Sequence, residues 1–328
     1  MSIKLAGLLH DLANQMEQIA LVHLYEARFD AALNLLNDQV LDSLKDENLL
    51  EEWARLQNRR AGILRYKGYC DNDPAQYDEA IEIVQQVLSV AETLGDGALL
   101  ADTVDLAGSV LQSKEGSLDA SFETRLGYFE RALEIRTEIQ DERGIAATNF
   151  HIGLVYQNKH PASEDSIQQA FEAFERSYAV ASDGEFPFER AHAARHLAYI
   201  YDKRNEPDKA YELHREFLKT NQEIGFKPYL SPAHIMVGLA HFRRGELAEA
   251  EQHLRSAYKV AKEIQSGHFL ADAAMMLGIV SRAKGENESA RMHFEEALLL
   301  AEPINLSRVM HVAYREIEEL SSEDAPGS

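Results

Sequence analysis

Two histidines four residues apart are the first residues whose spacing could support chemistry. His192 and His196 would lie one turn apart on the same face of a helix, a spacing that can hold one metal ion. The motif His-Ala-Ala-Arg-His lacks a glutamate after its first histidine, so it differs from the zinc helix of metalloproteases. No third ligand follows nearby in the sequence. We therefore predict two partly packed histidines rather than a metal site, and no cofactor.

Other signatures of catalysis are incomplete or absent. Gly95-Asp-Gly97 lacks the third glycine and the preceding strand of a phosphate-binding loop. Asp71-Asn-Asp73 begins like a calcium loop but lacks the glycine that such a loop needs. The single cysteine, Cys70, allows neither an intrachain disulfide nor a zinc cluster built on cysteines. We therefore expect a protein that is not an enzyme.

The net charge of the chain limits the kinds of partner that we expect. The 328 residues include 33 Lys and Arg against 55 Asp and Glu, for a formal net charge of −22. Affinity for phosphate groups is built from clustered cations, so we expect neither nucleic acid nor an anionic membrane as partner. The N-terminal sequence does not resemble a signal peptide, and no run reaches the ~18 apolar residues of a membrane span. A cytoplasmic location is the expectation.

The elements that would position any site are repeated between Pro232 and Pro303. A repeat of about forty residues is one helical hairpin that cannot bury its apolar face alone, so it must stack on its neighbours. Two copies share identical offsets: Val237-Gly238, Gly245, Ala250, Leu254 and Ala257 in the first, and Leu277-Gly278, Gly285, Ala290, Phe294 and Ala297 in the second.

Helical periodicity continues almost unbroken from residue 3 to residue 320, and the period-two alternation of strands is missing. We predict an all-α fold in a single domain, 1–320, in which helix pairs stack and a last helix, 306–320, caps them. In the first pair the helices would span 5–26 and 29–44. The acidic tail, 321–328, would be loose. The predicted pairs lie near 5–44, 49–94, 98–140, 142–182, 187–224, 232–265 and 268–301.

Each first helix has a small residue where the second helix would approach it closely. These small residues are Ala20, Gly62, Gly108, Gly153, Ala198, Gly238 and Gly278. The matching positions of the second helices hold Ala32, Ala80, Ala170, Ala210, Ala250 and Ala290. The third pair has Arg125 at this position, which indicates a pairing that is either shifted or locally irregular.

The pattern resembles the tetratricopeptide repeat. The segments Ile152-Gly153 with Tyr156 and Leu197-Ala198 with Tyr201 share its signature with the copy at Leu277-Gly278. The stretch 128–148 is similar to the longer unit of kinesin light chains and of bacterial signalling and regulator proteins. The resemblance covers about residues 12–303. It implies a right-handed α-solenoid of about seven repeats whose concave groove binds proteins or peptides.

The resemblance also implies which side chains face the groove, because the first helix of each pair would line it. Arg and Tyr commonly anchor interfaces, and the planar fork of Arg fits a carboxylate. We therefore expect a partner with acidic groups, unless these side chains pack against the next repeat, as we expect for Ile235, Leu239, Met275 and Ile279. The candidate partner-binding residues are Arg59, Tyr66, Lys67, Asn158, Arg195, Tyr199, Phe242, Arg243 and Arg282.

Two functions remain open at this point. The first is a non-enzymatic scaffold that binds a protein or peptide in the groove. The alternative is a bacterial peptide-sensing or signalling regulator whose effector is a separate protein, because the first repeat starts within the first two dozen residues. The Lys and Asn clamp of related proteins is not reproduced, since Lys67 and Asn158 lie in scattered places. The oligomeric state is open.

Overall fold

The computed structural model describes residues 3–114 and 121–323, and within these ranges the chain forms sixteen α-helices and no strand. The prediction of an all-α fold built from repeated helix-turn-helix units is confirmed. The helices are α1 (Ile3–Tyr25), α2 (Phe29–Leu35), α3 (Asp38–Asp46), α4 (Leu50–Asp71), α5 (Pro74–Leu94), α6 (Gly97–Ser113), α7 (Phe122–Glu138), α8 (Glu142–Gln157), α9 (Glu164–Asp183), α10 (Pro187–Lys203), α11 (Pro207–Ile224), α12 (Leu230–Arg243), α13 (Leu247–Glu263), α14 (Gly267–Ala283), α15 (Asn287–Ala301) and α16 (Ser307–Glu323).

Two predicted boundaries differ from the structure. The single helix predicted over 29–44 is wrong, because α2 ends at Leu35 and the Asn37 side chain accepts a hydrogen bond from the N–H of Val40 at 3.3 Å. That side-chain cap starts a new helix, α3, at the next residue. At the other end α16 continues to Glu323, while residues 324–328 of the predicted tail lie outside the described residues.

The chain divides into two compact units. Unit 1 comprises Met1–Tyr69 and Pro74–Arg204, and unit 2 comprises Cys70–Asp73 and Asn205–Ser328. The helices of the fifth predicted pair, α10 and α11, consequently belong to different units. Among the described residues, no helix is both long and apolar enough to cross a bilayer.

The turn Cys70–Asp73 is tied into unit 2 by hydrogen bonds to its backbone and side chains. The Ser266 hydroxyl donates to the carbonyl oxygen of Cys70, and Asn72 Nδ2 donates to the carbonyl oxygen of Ile304 at 3.1 Å. The Cys70 side chain is 1% exposed. This thiol is therefore withdrawn from solvent.

From α5 to α10 in unit 1 and from α11 to α16 in unit 2, helices that follow one another in sequence pack together. First helices of neighbouring pairs also touch, α6 with α8 and α8 with α10 in unit 1 and α12 with α14 in unit 2, and α14 contacts the last helix, α16. The core of unit 2 includes Met275 and Phe294 and is completed by Val309, Ala313 and Leu320 of α16. Ile235, Leu239 and Ile279 pack against this core, as the sequence predicts.

Small residues allow close approach within the pairs. A Cβ atom on Gly278 would lie 2.7 Å from a ring carbon of Phe294, and one on Gly108 would lie 2.8 Å from the ring of Phe129. Phe129 lies four residues after Arg125, just as Phe294 lies four residues after Ala290. The third pair therefore keeps the common register and is not shifted. Gly62 differs, because a Cβ atom there would meet no described atom within 4 Å. The prediction of close packing at Gly62 is wrong.

The helices end in turns that use the left-handed backbone conformation. Gly245 and Gly285, the matched glycines of the repeat, have φ angles of 76° and 78°. Such angles are unfavourable for residues with a Cβ atom, which explains why glycine stands at these offsets. The turn then places the next helix antiparallel to the last.

Candidate ligand-binding cavity

A cavity of about 410 Å³ lies in unit 1 among α1, α4, α6 and α8. This volume falls within the range of about 300–1,000 Å³ that is usual for small-ligand sites. Residues of α4 at intervals of three and four form one face of that helix and line the cavity together. They are Arg55, Asn58, Arg59, Gly62, Arg65 and Tyr66.

Gly62 accounts for the open space beside α4. In the third and seventh pairs a phenylalanine ring of the second helix covers the corresponding glycine. In the second pair the residue four positions after Ala80 is Val84, and no described atom lies within 4 Å of a Cβ built on Gly62. The cavity therefore lies beside a glycine that no aromatic ring covers.

Three guanidinium groups lie on the α4 side of the cavity, and two of them share one carboxylate. Arg59 Nη2 lies 3.2 Å from Glu17 Oε1, and Arg55 Nη1 lies 3.7 Å from Glu17 Oε2. Arg55 Nη2 also donates to Asn14 Oδ1 at 2.7 Å. The Nε atoms of Arg55 and Arg59 are buried without a hydrogen-bond partner in the described part of the chain. The hydrogen-bond donors of these two arginines are therefore only partly used.

The α6 side of the cavity carries Asp96, Asp102 and Asp105, which we call the aspartate side. Asp105 is buried; it accepts hydrogen bonds from Thr148 Oγ1 at 2.7 Å and Arg136 Nη1 at 3.0 Å, and its Oδ1 lies 2.6 Å from His151 Nδ1. Burial raises the pKa of Asp105, but the charges of His151 and Arg136 outweigh burial and hold it well below its usual range. Asp105 is therefore ionised.

The buried side chain of Arg136, in the last turn of α7, organises the aspartate side. Its Nη2 donates to Asp102 Oδ1 at 2.8 Å, and its Nη1 donates to the carbonyl oxygen of Gly144 at 2.8 Å and to the Thr148 hydroxyl. Arg136 was not among the predicted site residues. The sequence nevertheless contains a signal for Arg136. It lies eleven residues after Arg125, the matched position of its helix, whereas four other second helices have alanine at this offset: Ala91, Ala181, Ala261 and Ala301.

Asp96 and Asp102 are held six residues apart, at the start of α6 and in its first half. Asp96 caps α6 by accepting hydrogen bonds from the N–H groups of Ala98 at 2.9 Å and Leu99 at 3.1 Å, both through Oδ1. Asp102 is exposed and meets Arg136 through its own Oδ1. A second oxygen remains on each carboxylate.

Of the predicted partner-binding residues, Arg59 and Tyr66 line the cavity, and the others in unit 1 lie elsewhere. Lys67 Nζ lies 3.4 Å from Asp30 Oδ1, and Asn158 ends α8. Arg195 is half-buried on α10. Tyr199 is 44% exposed, with the ammonium of Lys203 5.5 Å from its ring centre.

The predicted residues of unit 2 take structural roles or lie at the surface. Phe242 packs against the core of that unit, and Arg243 is exposed at the end of α12. Arg282 forms ion pairs with Glu316 and, at 2.6 Å, with Glu319 of α16. These contacts join α14 to α16.

The histidine pair lies among aromatic rings. The rings of His192 and His196 lie 5.2 Å and 5.3 Å from the ring of Phe150, and His196 Nδ1 is 3.0 Å from Gln157 Oε1. Burial, with the nearby charge of Arg195, lowers the pKa of both histidines well below their usual range. In the described ranges, no group of three or more His, Cys, Asp or Glu residues could hold a metal ion.

Comparison with known families identifies the repeat. Residues 229–302 match the family model described as tetratricopeptide repeat. The match coincides with the two copies that share identical offsets. No curated protein matches the sequence.

Several solved structures share the fold. A Rap protein in complex with Competence and Sporulation Factor is 13% identical, with a TM-score of 0.57 over 97% of this chain and 98% of that chain. A STAND protein with a tetratricopeptide repeat sensor from Pyrococcus horikoshii is 13% identical, with a TM-score of 0.56 over 95% of this chain and 50% of that chain. BtubC from P. vanneervenii is 16% identical, with a TM-score of 0.54 over 72% and 92%. The fold is that of tetratricopeptide repeat proteins.

Proposed function

We propose that this chain, which is built from tetratricopeptide repeats, is a non-enzymatic scaffold that binds a peptide segment in the cavity of unit 1. The observation that carries the proposal is the open position at Gly62, between arginines whose hydrogen-bonding capacity is incompletely used. A protein usually fills such a space or satisfies such groups. A ligand would do both.

The chemistry of the lining favours a peptide over other ligands. Arg59 and Tyr66 are of the residue types that dominate binding energy at protein interfaces, and Asn58 adds an amide whose oxygen is buried without a partner among the described residues. The net charge of −22 opposes nucleic acid and anionic membranes. A cytoplasmic location and a partner with acidic groups complete the proposal.

A glycine pair in unit 1 provides the test. Peptides would be selected from a phage-displayed heptapeptide library on the immobilised wild-type chain, and their affinity measured by fluorescence anisotropy. Gly62→Leu fills the cavity and should lower affinity at least tenfold. Gly127→Leu is the control, because a Cβ at this helical glycine also meets no described atom and the residue lies outside the cavity. Equal affinity for both variants, or a library that yields no binder, would contradict the proposal.

The second candidate is a peptide-sensing regulator whose effector is a separate protein. It is favoured by the similarity to the Rap protein, which covers 97% of this chain and was solved with Competence and Sporulation Factor. In a sensor, the selected peptide should change the conformation of the chain. A small-angle scattering profile that shifts on saturation with peptide would favour the sensor, and an unchanged profile would favour the scaffold.

A further inference from the structure

We infer that the ligand of this cavity carries both an anionic and a cationic group, as a short zwitterionic peptide segment does. Its carboxylate would meet Arg55 and Arg59, and its ammonium or guanidinium would meet Asp96 and Asp102. The inference rests on the proposed function and names the ligand class of that site. It follows from how charge is distributed between α4 and α6.

The α4 side of the cavity has more positive charge than its partners neutralise. Glu17 is the one carboxylate that contacts both Arg55 and Arg59 in the described structure, at 3.7 Å and 3.2 Å, and neither contact is a paired fork. A guanidinium offers five donors in a plane and binds a carboxylate best through two parallel hydrogen bonds. A ligand carboxylate would supply the missing acceptors.

The aspartate side has the opposite imbalance. Arg136 serves both Asp102 and Asp105, and its Nε also lies 3.6 Å from Asp141. His151 adds one contact, to Asp105. Asp96 has only backbone donors among its hydrogen bonds. Negative charge therefore exceeds positive charge here, and a ligand cation would balance it.

A buried amide lies on α6 beyond Ser109, the last residue of that helix that lines the cavity. Gln112 is 5% exposed, and neither its Nε2 nor its Oε1 has a hydrogen-bond partner within the described ranges. It lies on the same face of α6 as Asp105 and Ser109, seven and three residues further along. A glutamine amide offers a donor and an acceptor side by side, which matches the N–H and C=O of a peptide backbone.

Singly charged ligands fit this arrangement less well. A purely anionic ligand would place a charge near three aspartates, and a purely cationic ligand would place one near three arginines. Repulsion between like charges is stronger near the surface of a protein than in bulk water. A ligand with a negative and a positive group can place its negative group near the arginines and its positive group near the aspartates, so that both contacts are attractive.

Four pools of fluorescent hexapeptides test the inference: acidic, basic, mixed and uncharged, matched in length and hydrophobicity. We expect the wild-type chain to bind the mixed pool at least tenfold more tightly than any other. Arg59→Gln should weaken binding of the mixed and acidic pools about tenfold, and Asp102→Asn should do the same for the mixed and basic pools. Arg131→Gln and Asp183→Asn remove comparable charges from exposed positions outside the cavity. They should leave the affinity for every pool unchanged.

The outcomes separate this inference from the proposed function. Equal affinity for all four pools, combined with loss of binding in Gly62→Leu, would contradict the inference of a zwitterionic ligand. The proposal of a peptide site in the cavity would still stand. Preference for the acidic pool with no effect of Asp102→Asn would also overturn the inference of a zwitterionic ligand. Binding of every pool that persists in Gly62→Leu would overturn both proposals.

Discussion

The size of single side chains decides where the helix pairs close and where they stay open. Gly278 is covered by Phe294, whereas Gly62 lines the cavity and has Val84 at the position that corresponds to Phe294. The two glycines have the same position in the repeat, so they form a natural pair for testing this difference.

Replacing each glycine with alanine should therefore have opposite effects on the free energy of unfolding. Gly62→Ala should stabilise the chain by about 1 kcal/mol, because alanine favours a helix interior and its Cβ meets no described atom. Gly278→Ala should destabilise it by about 1–3 kcal/mol, because its Cβ overlaps the Phe294 ring. Urea unfolding followed by circular dichroism measures both, and effects of the same sign would contradict this packing.

Arg136 is the buried residue on which the aspartate side depends. Arg136→Met should cost about 3–5 kcal/mol of unfolding free energy, because Asp105 would remain buried and ionised without its guanidinium partner. Arg131→Met, an exposed arginine on the same helix, should change stability by less than about 0.5 kcal/mol. Thermal unfolding of both variants checks the contrast, and a similar loss in each would show that Asp105 does not need Arg136.

At the level of helices, the period and the small residues of the repeat were sufficient to predict the fold. Glycine in the first helix allows a ring of the second helix to approach closely, as at Gly108 and Gly278, and such small residues recur at positions that the sequence shows directly. The cavity was harder to predict, because it depends on the open space beside Gly62 and on the contacts that Arg136 makes with Asp102 and Asp105 from α7, the second helix of the same pair as α6. Such contacts join residues far apart in sequence. Arg59 and Tyr66, which were predicted from their positions in the repeat, line the cavity, and their role in binding stays a prediction.

The helices α12 and α13 bring histidines together in unit 2 and give it a dependence on pH. His234 Nδ1 lies 3.1 Å from His253 Nδ1, and the His253 ring stacks 5.4 Å from that of His241. Burial and then His253 lower the pKa of His234 from 6.5 to about 4, and burial and then His241 lower that of His253. The unfolded chain therefore binds protons at a higher pH than the folded chain.

Stability from His234 should be fully present above about pH 6.5 and lost as the pH falls towards 4. His234→Gln should remove part of this loss, so that the unfolding midpoint falls less between pH 7 and pH 5 than in the wild type. His311→Gln, at an exposed histidine of α16, is the control and should leave the pH profile unchanged. A profile for His234→Gln that parallels the wild type would contradict the assignment.

At the level of the whole molecule, each of the two units distributes its stability through contacts between neighbouring helices. Each repeat supports the next, so a local defect should unfold a neighbourhood rather than the entire chain. Within unit 2, α16 contacts α14 and α15, and its Ala313 is fully buried.

Ala313→Glu places a charge in that contact and should loosen the end of unit 2 first. Amide hydrogen exchange should lose protection in α15 and α16, while α8 and α9 of unit 1 keep theirs. Ser322→Glu, at an exposed position of α16, controls for the added charge. Uniform loss of protection across both units would show that the repeats unfold together.

The chain has one cysteine, and its side chain is 1% exposed. Maleimides and similar dyes react with accessible thiolates, so the native chain offers them no competing target. A cysteine introduced at position 62 would extend into the cavity and would be labelled alone. An environment-sensitive dye there would report occupancy of the cavity before the natural ligand has been identified.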